Sequence, residues 1–140
     1  MTTGTDPLLL TGGQVLLYAR DPARLAAFYG GLGFSERFNR QGEDWTIVEV
    51  SLGGFSLGLL SRDYQGKLSG VLPQDGPPQG EVLLWCQDAA AAYHLALSLG
   101  AEDIRAPFDL DGRMTVSQVS DPEGNRVKFI SPLLAEDLRK

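Results

Sequence analysis

Residues 13 to 33 read GQVLLYARDPARLAAFYGGLG, and residues 80 to 100 read GEVLLWCQDAAAAYHLALSLG. Laid over one another at an offset of 67 (88 − 21), they share eight identities without a gap. These are Gly13 with Gly80, Val15-Leu16-Leu17 with Val82-Leu83-Leu84, Asp21 with Asp88, Ala23 with Ala90, and Leu32-Gly33 with Leu99-Gly100. Composition alone would give roughly two, so the chain carries a repeated structural unit.

Each unit has the same internal order. Gln14 to Arg20 alternates as a strand does, and Asp21 followed by Pro22 is an N-cap with proline at the first helical position. Leu25, Phe28, Tyr29 and Leu32 recur at helical spacing, and Gly33 stands where a helix ends on a left-handed residue. Phe34 to Asn39, Trp45 to Leu52 and Phe55 to Leu60 then form strands, with turns at Gly42-Glu43 and Gly53-Gly54. In the second unit Glu81 to Gln87 is a strand, Asp88 caps a helix over Ala89 to Leu99, and Gly100 stops it. Strands follow at Ile104 to Leu110, Met114 to Ser120 and Arg126 to Ser131, the last two joined by an Asp-Pro-Glu-Gly turn.

The order β-α-β-β-β, twice, makes the fold class α+β with two tandem βαβββ modules. Residues 1–13 are an N-terminal extension, 14–61 the first module, 80–131 the second, and 132–140 a tail, with 14–131 one domain overall. Between the modules, residues 62–79 carry Gly66, Gly70, Pro73, Gly76, Pro77 and Pro78, the composition of a linker loop.

The 140 residues are 43% hydrophobic and 21% charged, enough for one ordinary globular core. No basic n-region precedes Leu8 to Leu10, which is too short for a signal or a membrane span, so the expectation is a cytoplasmic protein without a membrane partner. A single cysteine, Cys86, excludes an internal disulfide and a Cys-rich zinc site. A net charge of −6 with no basic cluster argues against a nucleic-acid partner.

Asp21, Phe28-Tyr29 and Leu32-Gly33-Phe34 resemble the first module of the vicinal oxygen chelate superfamily, which gathers glyoxalases, bleomycin resistance proteins and dioxygenases. Asp121-Pro122-Glu123-Gly124-Asn125 resembles its hairpin before the final strand. The likeness runs from about Gln14 to Ser131. It implies curled sheets forming a cupped barrel around a central cavity, in a homodimer.

Period-two alternation places Gln14, Leu16, Tyr18, Glu81, Leu83 and Trp85 toward that cavity, opposite the helices. Counting from the hairpin glycines makes Gly58 and Lys128 equivalent and inward-facing. The resemblance implies that metal enzymes of the superfamily hold four ligands at the positions of Gln14, Gly58, Glu81 and Lys128. A first-row metal needs about three or four donors, and only Gln14 and Glu81 can donate, so no metal and no cofactor are expected. The one histidine, His94, is placed on the far side of its helix from Ala92, Leu95, Ala96 and Leu99, and a ring-cleaving iron site needs two. Histidine-dependent thiol transfer to fosfomycin is disfavoured for the same reason.

Glu81 and Lys128 are expected to pair, as a salt bridge filling a vacated metal position or as a polar anchor for a ligand. Glu49 falls opposite Gly58 across the Gly53-Gly54 turn. Tyr18, Trp45, Trp85 and Ser117 would complete a pocket for a small-molecule ligand, although either tryptophan could equally be core packing. Three functions compete. One is metal-independent binding or sequestering of a small molecule, resembling the bleomycin-binding members, with the acidic balance suiting an amine-bearing ligand. The second is a metal-independent isomerase or lyase on a carbonyl compound, with Glu49 or Glu81 moving a proton and Lys128 steadying an enolate-like oxygen. The third is a glyoxalase-like lyase binding metal in a displaced arrangement of Gln14, Glu81 and Glu49.

Overall fold

The aspartate caps, glycine stops and alternating strands anticipated above order themselves as follows in a computed structural model, which describes residues 13–43, 45–62 and 80–132. The first module runs β1 (Val15–Ala19), α1 (Pro22–Gly31), β2 (Ser35–Gln41), β3 (Thr46–Leu52) and β4 (Phe55–Ser61). The second runs β5 (Glu81–Trp85), α2 (Ala89–Ser98), β6 (Glu102–Leu110), β7 (Met114–Ser120) and β8 (Arg126–Pro132). The expected N-terminal extension up to residue 12, the linker over 63–79 and the tail over 133–140 lie outside the described residues. No described helix is long and apolar enough to cross a membrane.

Local chemistry fixes the helix ends. The Asp21 carboxylate accepts from the Arg24 amide at 3.1 Å, and Asp88 accepts from the Ala91 amide at 3.0 Å, each satisfying one orphan donor of a first turn. Gly33 and Gly100 close the helices at φ of +116° and +105°, where a side chain would be strained.

Each module is one four-stranded mixed sheet, ordered β1-β4-β3-β2 and β5-β8-β7-β6, with the first strand parallel to the fourth and the other pairs antiparallel. Among the described residues no ladder joins the two sheets, so the barrel expected from the sequence is not closed. Each helix covers one face of its own sheet, α1 over β3 and β4, α2 over β7 and β6. Between these layers lie Leu25, Tyr29, Val48, Val50, Leu57 and Leu59, all fully buried or nearly so, and in the second module Val119, Val127 and Phe129. Removing each such aliphatic side chain from water contributes about 1.5–3 kcal/mol. One continuous apolar cluster runs through both modules.

The inward face of α2 differs from the expected one. Tyr93, Ala89 and Ala96 are buried, whereas Leu95 is 44% exposed. Tyr93 reaches past the helix to donate to Asp103 at 2.8 Å, which turns the helix face toward β6. His94 is exposed, as its position predicts.

The modules are also tied by polar contacts. Tyr29 of α1 donates to Asp121, and the Glu123 carboxylate accepts from the backbone amides of Arg20 and Asp21, each at 3.0 Å. At the ends of the helices a Cβ on Gly31 would lie 2.7 Å from Cδ1 of Leu99, so the glycine permits the close approach.

Candidate functional site

Parity along β1 carries Ala19 into the core and leaves Gln14 and Leu16 on the sheet face away from α1. Leu16 is the register partner of Gly58 on β4, and Glu49 on β3 is the partner of Gly58 from the other side. A Cβ on Gly58 would stand 2.6 Å from Oε1 of Gln14 and 2.6 Å from Cδ2 of Leu16. The missing side chain is therefore what lets Gln14 lie across the sheet. Its Nε2 donates to Oε1 of Glu49 at 2.8 Å and to Oγ of Ser56 at 3.1 Å. Around this group opens a hollow of about 490 Å³, lined also by Arg37 and Ser51 and by no residue of the second module.

The second module repeats the arrangement with donor and acceptor exchanged. Glu81 stands at the position of Gln14, and Gln118 on β7, the register partner of Lys128, stands at the position of Glu49. Nε2 of Gln118 donates to Oε2 of Glu81 at 3.0 Å, and Nζ of Lys128 sits 2.7 Å from Oε1. Partial desolvation pushes the Glu81 carboxyl upward, but hydrogen bonds from Lys128 and Gln118 and the charges of Lys128 and Arg126 outweigh it and hold it below the ordinary glutamate value. The Lys128 and Glu81 side chains are 30% and 28% exposed, so the pair is partly solvated rather than buried.

The remaining expected site residues do not assemble into an aromatic pocket. Trp85 is 72% exposed at the end of β5. Trp45 is half-buried, its indole standing where a side chain on Gly42 would begin, and Tyr18 is half-buried beside Leu60. None of the three lines the 490 Å³ hollow. Ser117 faces the opposite way from the expected one: it is fully buried under α2 and its hydroxyl donates to the carbonyl of Ala89 at 3.0 Å. The physical reason is turn length. The turn over 121–125 pairs Ser120 with Arg126, which sets Gln118 and not Ser117 opposite Lys128. The same register count exposes Gln118 in the sequence. Ser56 is found by stepping back two residues from Gly58, which keeps the same face, whereas Arg37 depends on a bulge that the sequence does not announce.

These donors do not make a metal site. Lys128 places an ammonium against Glu81 and Gly58 offers no side-chain atom, so the four positions supply only the Gln14 carboxamide oxygen and the Glu81 carboxylate. Among the described residues, no three of His, Cys, Asp and Glu gather as a group that could hold a metal ion.

No protein-family model matches the sequence, and no curated protein matches it either. Solved structures do. A glyoxalase-related enzyme from Fulvimarina pelagi superposes with a TM-score of 0.74 at 20% identity, over 88% of this chain and 88% of that one. A glyoxalase/bleomycin resistance protein/dioxygenase family enzyme from Burkholderia phytofirmans PsJN gives 0.70 at 19% identity, over 86% and 97%. A glyoxalase I mutant from Zea mays gives 0.67 at 19% identity, with 84% of this chain matched to 43% of that one. The fold of this chain is thus the paired βαβββ fold of glyoxalase/bleomycin resistance/dioxygenase proteins.

Proposed function

We propose that this chain uses its paired βαβββ fold to bind or sequester a small polar organic molecule on the open sheet faces, without a metal at the Gln14, Gly58, Glu81 and Lys128 positions. The observation that carries the proposal is the Lys128 ammonium 2.7 Å from the Glu81 carboxylate, a cation standing beside the group that a divalent ion would need. A paired, ionised Glu81 is also a weak proton acceptor, which favours binding over the carbonyl isomerase or lyase alternative. Supporting it further, Leu16 at 42%, Leu83 at 39% and Trp85 at 72% exposure put apolar surface on the same faces as the two amide–carboxylate groups. Apolar surface with a few oriented polar groups is the usual composition of a small-molecule site.

The test is an NMR titration of the uniformly ¹⁵N-labelled protein with a fragment panel of amines, carboxylates, amino acids and aromatic drugs. Binders should shift the amides around Gln14, Glu49 and Gly58 or around Glu81, Gln118 and Lys128. Shifts confined to other surfaces, or turnover of an added carbonyl compound abolished by Glu81→Gln, would replace the proposal with another.

A further inference from the structure

We propose that the hollow of the first module is built for a zwitterion, a molecule carrying an ammonium and a carboxylate; this rests on the small-molecule reading and names its ligand class. The hollow holds one group of each sign. Glu49 is oriented by Gln14, which donates to its Oε1 at 2.8 Å and leaves the other oxygen without a protein donor among the described residues. Arg37 lines the same hollow, and neither it nor Glu49 has an ion-pair partner among the described residues. Two opposite charges that border one hollow without closing on each other leave both for an occupant. A protonated amine fits the carboxylate and a ligand carboxylate fits the guanidinium, whose planar fork suits it.

Arg37 is there because of a backbone irregularity. Glu36 pairs with Val50 and Phe38 with Glu49, so Arg37 is the extra residue of a β-bulge, the device that re-aims a side chain on a strand. The second module keeps the bulge at the matching place, where Asp103 pairs with Val119 and Arg105 with Gln118. There the extra residue is Ile104, and the neighbouring acceptor position holds the neutral Gln118. The second module meanwhile neutralises its own carboxylate with Lys128. Only the first module therefore presents two uncompensated charges around a hollow among the described residues.

The experiment is a calorimetric titration with a series of amino acids of increasing charge separation: glycine, β-alanine, 4-aminobutyrate and 6-aminohexanoate. Hexylamine and hexanoate serve as single-charge controls. One member of the series should bind at least tenfold more tightly than both controls. Arg37→Gln should then reduce its affinity to that of hexylamine, and Glu49→Gln, which keeps a group able to meet Gln14, should reduce it to that of hexanoate. If Glu49→Gln fails to fold, the exposed Arg37 variant decides alone. A series that never exceeds the controls, or whose binding ignores both substitutions, overturns the zwitterion assignment. If the fragment panel still finds ligands on the sheet faces in that case, the small-molecule reading survives it; if both panels are silent, both fall.

Discussion

Tyr29 donates its phenol hydrogen to Oδ2 of Asp121 at 2.7 Å across 92 residues of sequence, inside the protein. Tyr29 is 0% exposed and Asp121 3%. The carboxylate does more than receive it. Its oxygens also accept from the amides of Glu123 and Asn125, each at 2.9 Å, and from the Asn125 side chain, so one buried acid organises the hairpin before β8 and anchors α1 to it. Burial pushes the Asp121 carboxyl above its ordinary value, against the pull of these donors.

Tyr29→Phe removes one donor from a buried acid and should cost about 1.5–3 kcal/mol in denaturant melts. A loss under about 0.5 kcal/mol would show that the bond does not hold the modules together. Burial, then the Asp121 charge and the hydrogen bond to it, raise the Tyr29 phenol far above its ordinary value. A raised folded pKa gives stability that is complete below the unfolded value, near 10, and is lost as pH rises beyond it. The wild-type protein should therefore lose up to about 1.4 kcal/mol more per pH unit above pH ~10 than the Phe variant does, measured by melts from pH 9 to 11.5.

Gly31→Ala would ordinarily stabilise a helix by about 0.5–1 kcal/mol. Here the added methyl would meet Cδ1 and Cδ2 of Leu99 at 2.7 and 2.8 Å. Because those atoms end a flexible side chain, the expected net loss is modest, about 1 kcal/mol. In a Leu99→Ala background the same substitution should become neutral or stabilising. Equal effects in both backgrounds would mean that the two helix ends do not press on one another.

Much of this fold was legible because it is written in short-range chemistry. Asp21 and Asp88 cap helices, Gly33 and Gly100 stop them, and the strand boundaries follow from alternation, so two modules could be read from their repetition. The sheet face of Gln14, Glu49, Gly58, Glu81 and Lys128 followed from parity, and the Glu81–Lys128 pair formed where counting put it. What failed depended on longer-range or irregular geometry. The 121–125 turn, which the sequence does mark, already pairs Gln118 with Lys128 and turns Ser117 toward α2, whereas a bulge placed Arg37, and the aromatic pocket of Tyr18, Trp45 and Trp85 required a closure of sheets that no ladder among the described residues provides. The Phe-Tyr and Asp-Pro-Glu-Gly-Asn motifs marked the resemblance, but only the folded chain joins Tyr29 to Asp121.

The Glu81–Lys128 pair should show a coupling of about 0.2–1 kcal/mol in a Lys128→Met, Glu81→Leu double-mutant cycle. A fully buried pair would lose about 3–5 kcal/mol on removal of one partner, but nearly a third of each side chain here remains in water. The depressed Glu81 carboxyl contributes stability above its unfolded value, near 4.3, and that contribution is lost as pH falls through the folded value. The coupling should accordingly fade in melts taken below pH 4. A coupling above about 2 kcal/mol, or one that ignores acid, would mean that the pair is desolvated in solution.

Purified protein dialysed without chelator should carry no stoichiometric zinc, nickel, manganese or iron at these positions. The reason lies in the donors. A first-row ion needs about three or four lone pairs arranged around it, and here one of the four positions ends at Cα and another ends in an ammonium. Only the Gln14 carboxamide oxygen and the Glu81 carboxylate remain as donors, and the ammonium beside Glu81 repels a divalent ion. Lys128→Glu reverses that last effect: it exchanges the ammonium for a second carboxylate beside Glu81, so elemental analysis should find this variant retaining more divalent metal than the wild type after the same dialysis. A wild-type content near one metal per chain, lost on Glu81→Ala, would show that the ion binds despite Lys128 and would return the chain to the metal-dependent glyoxalase reading.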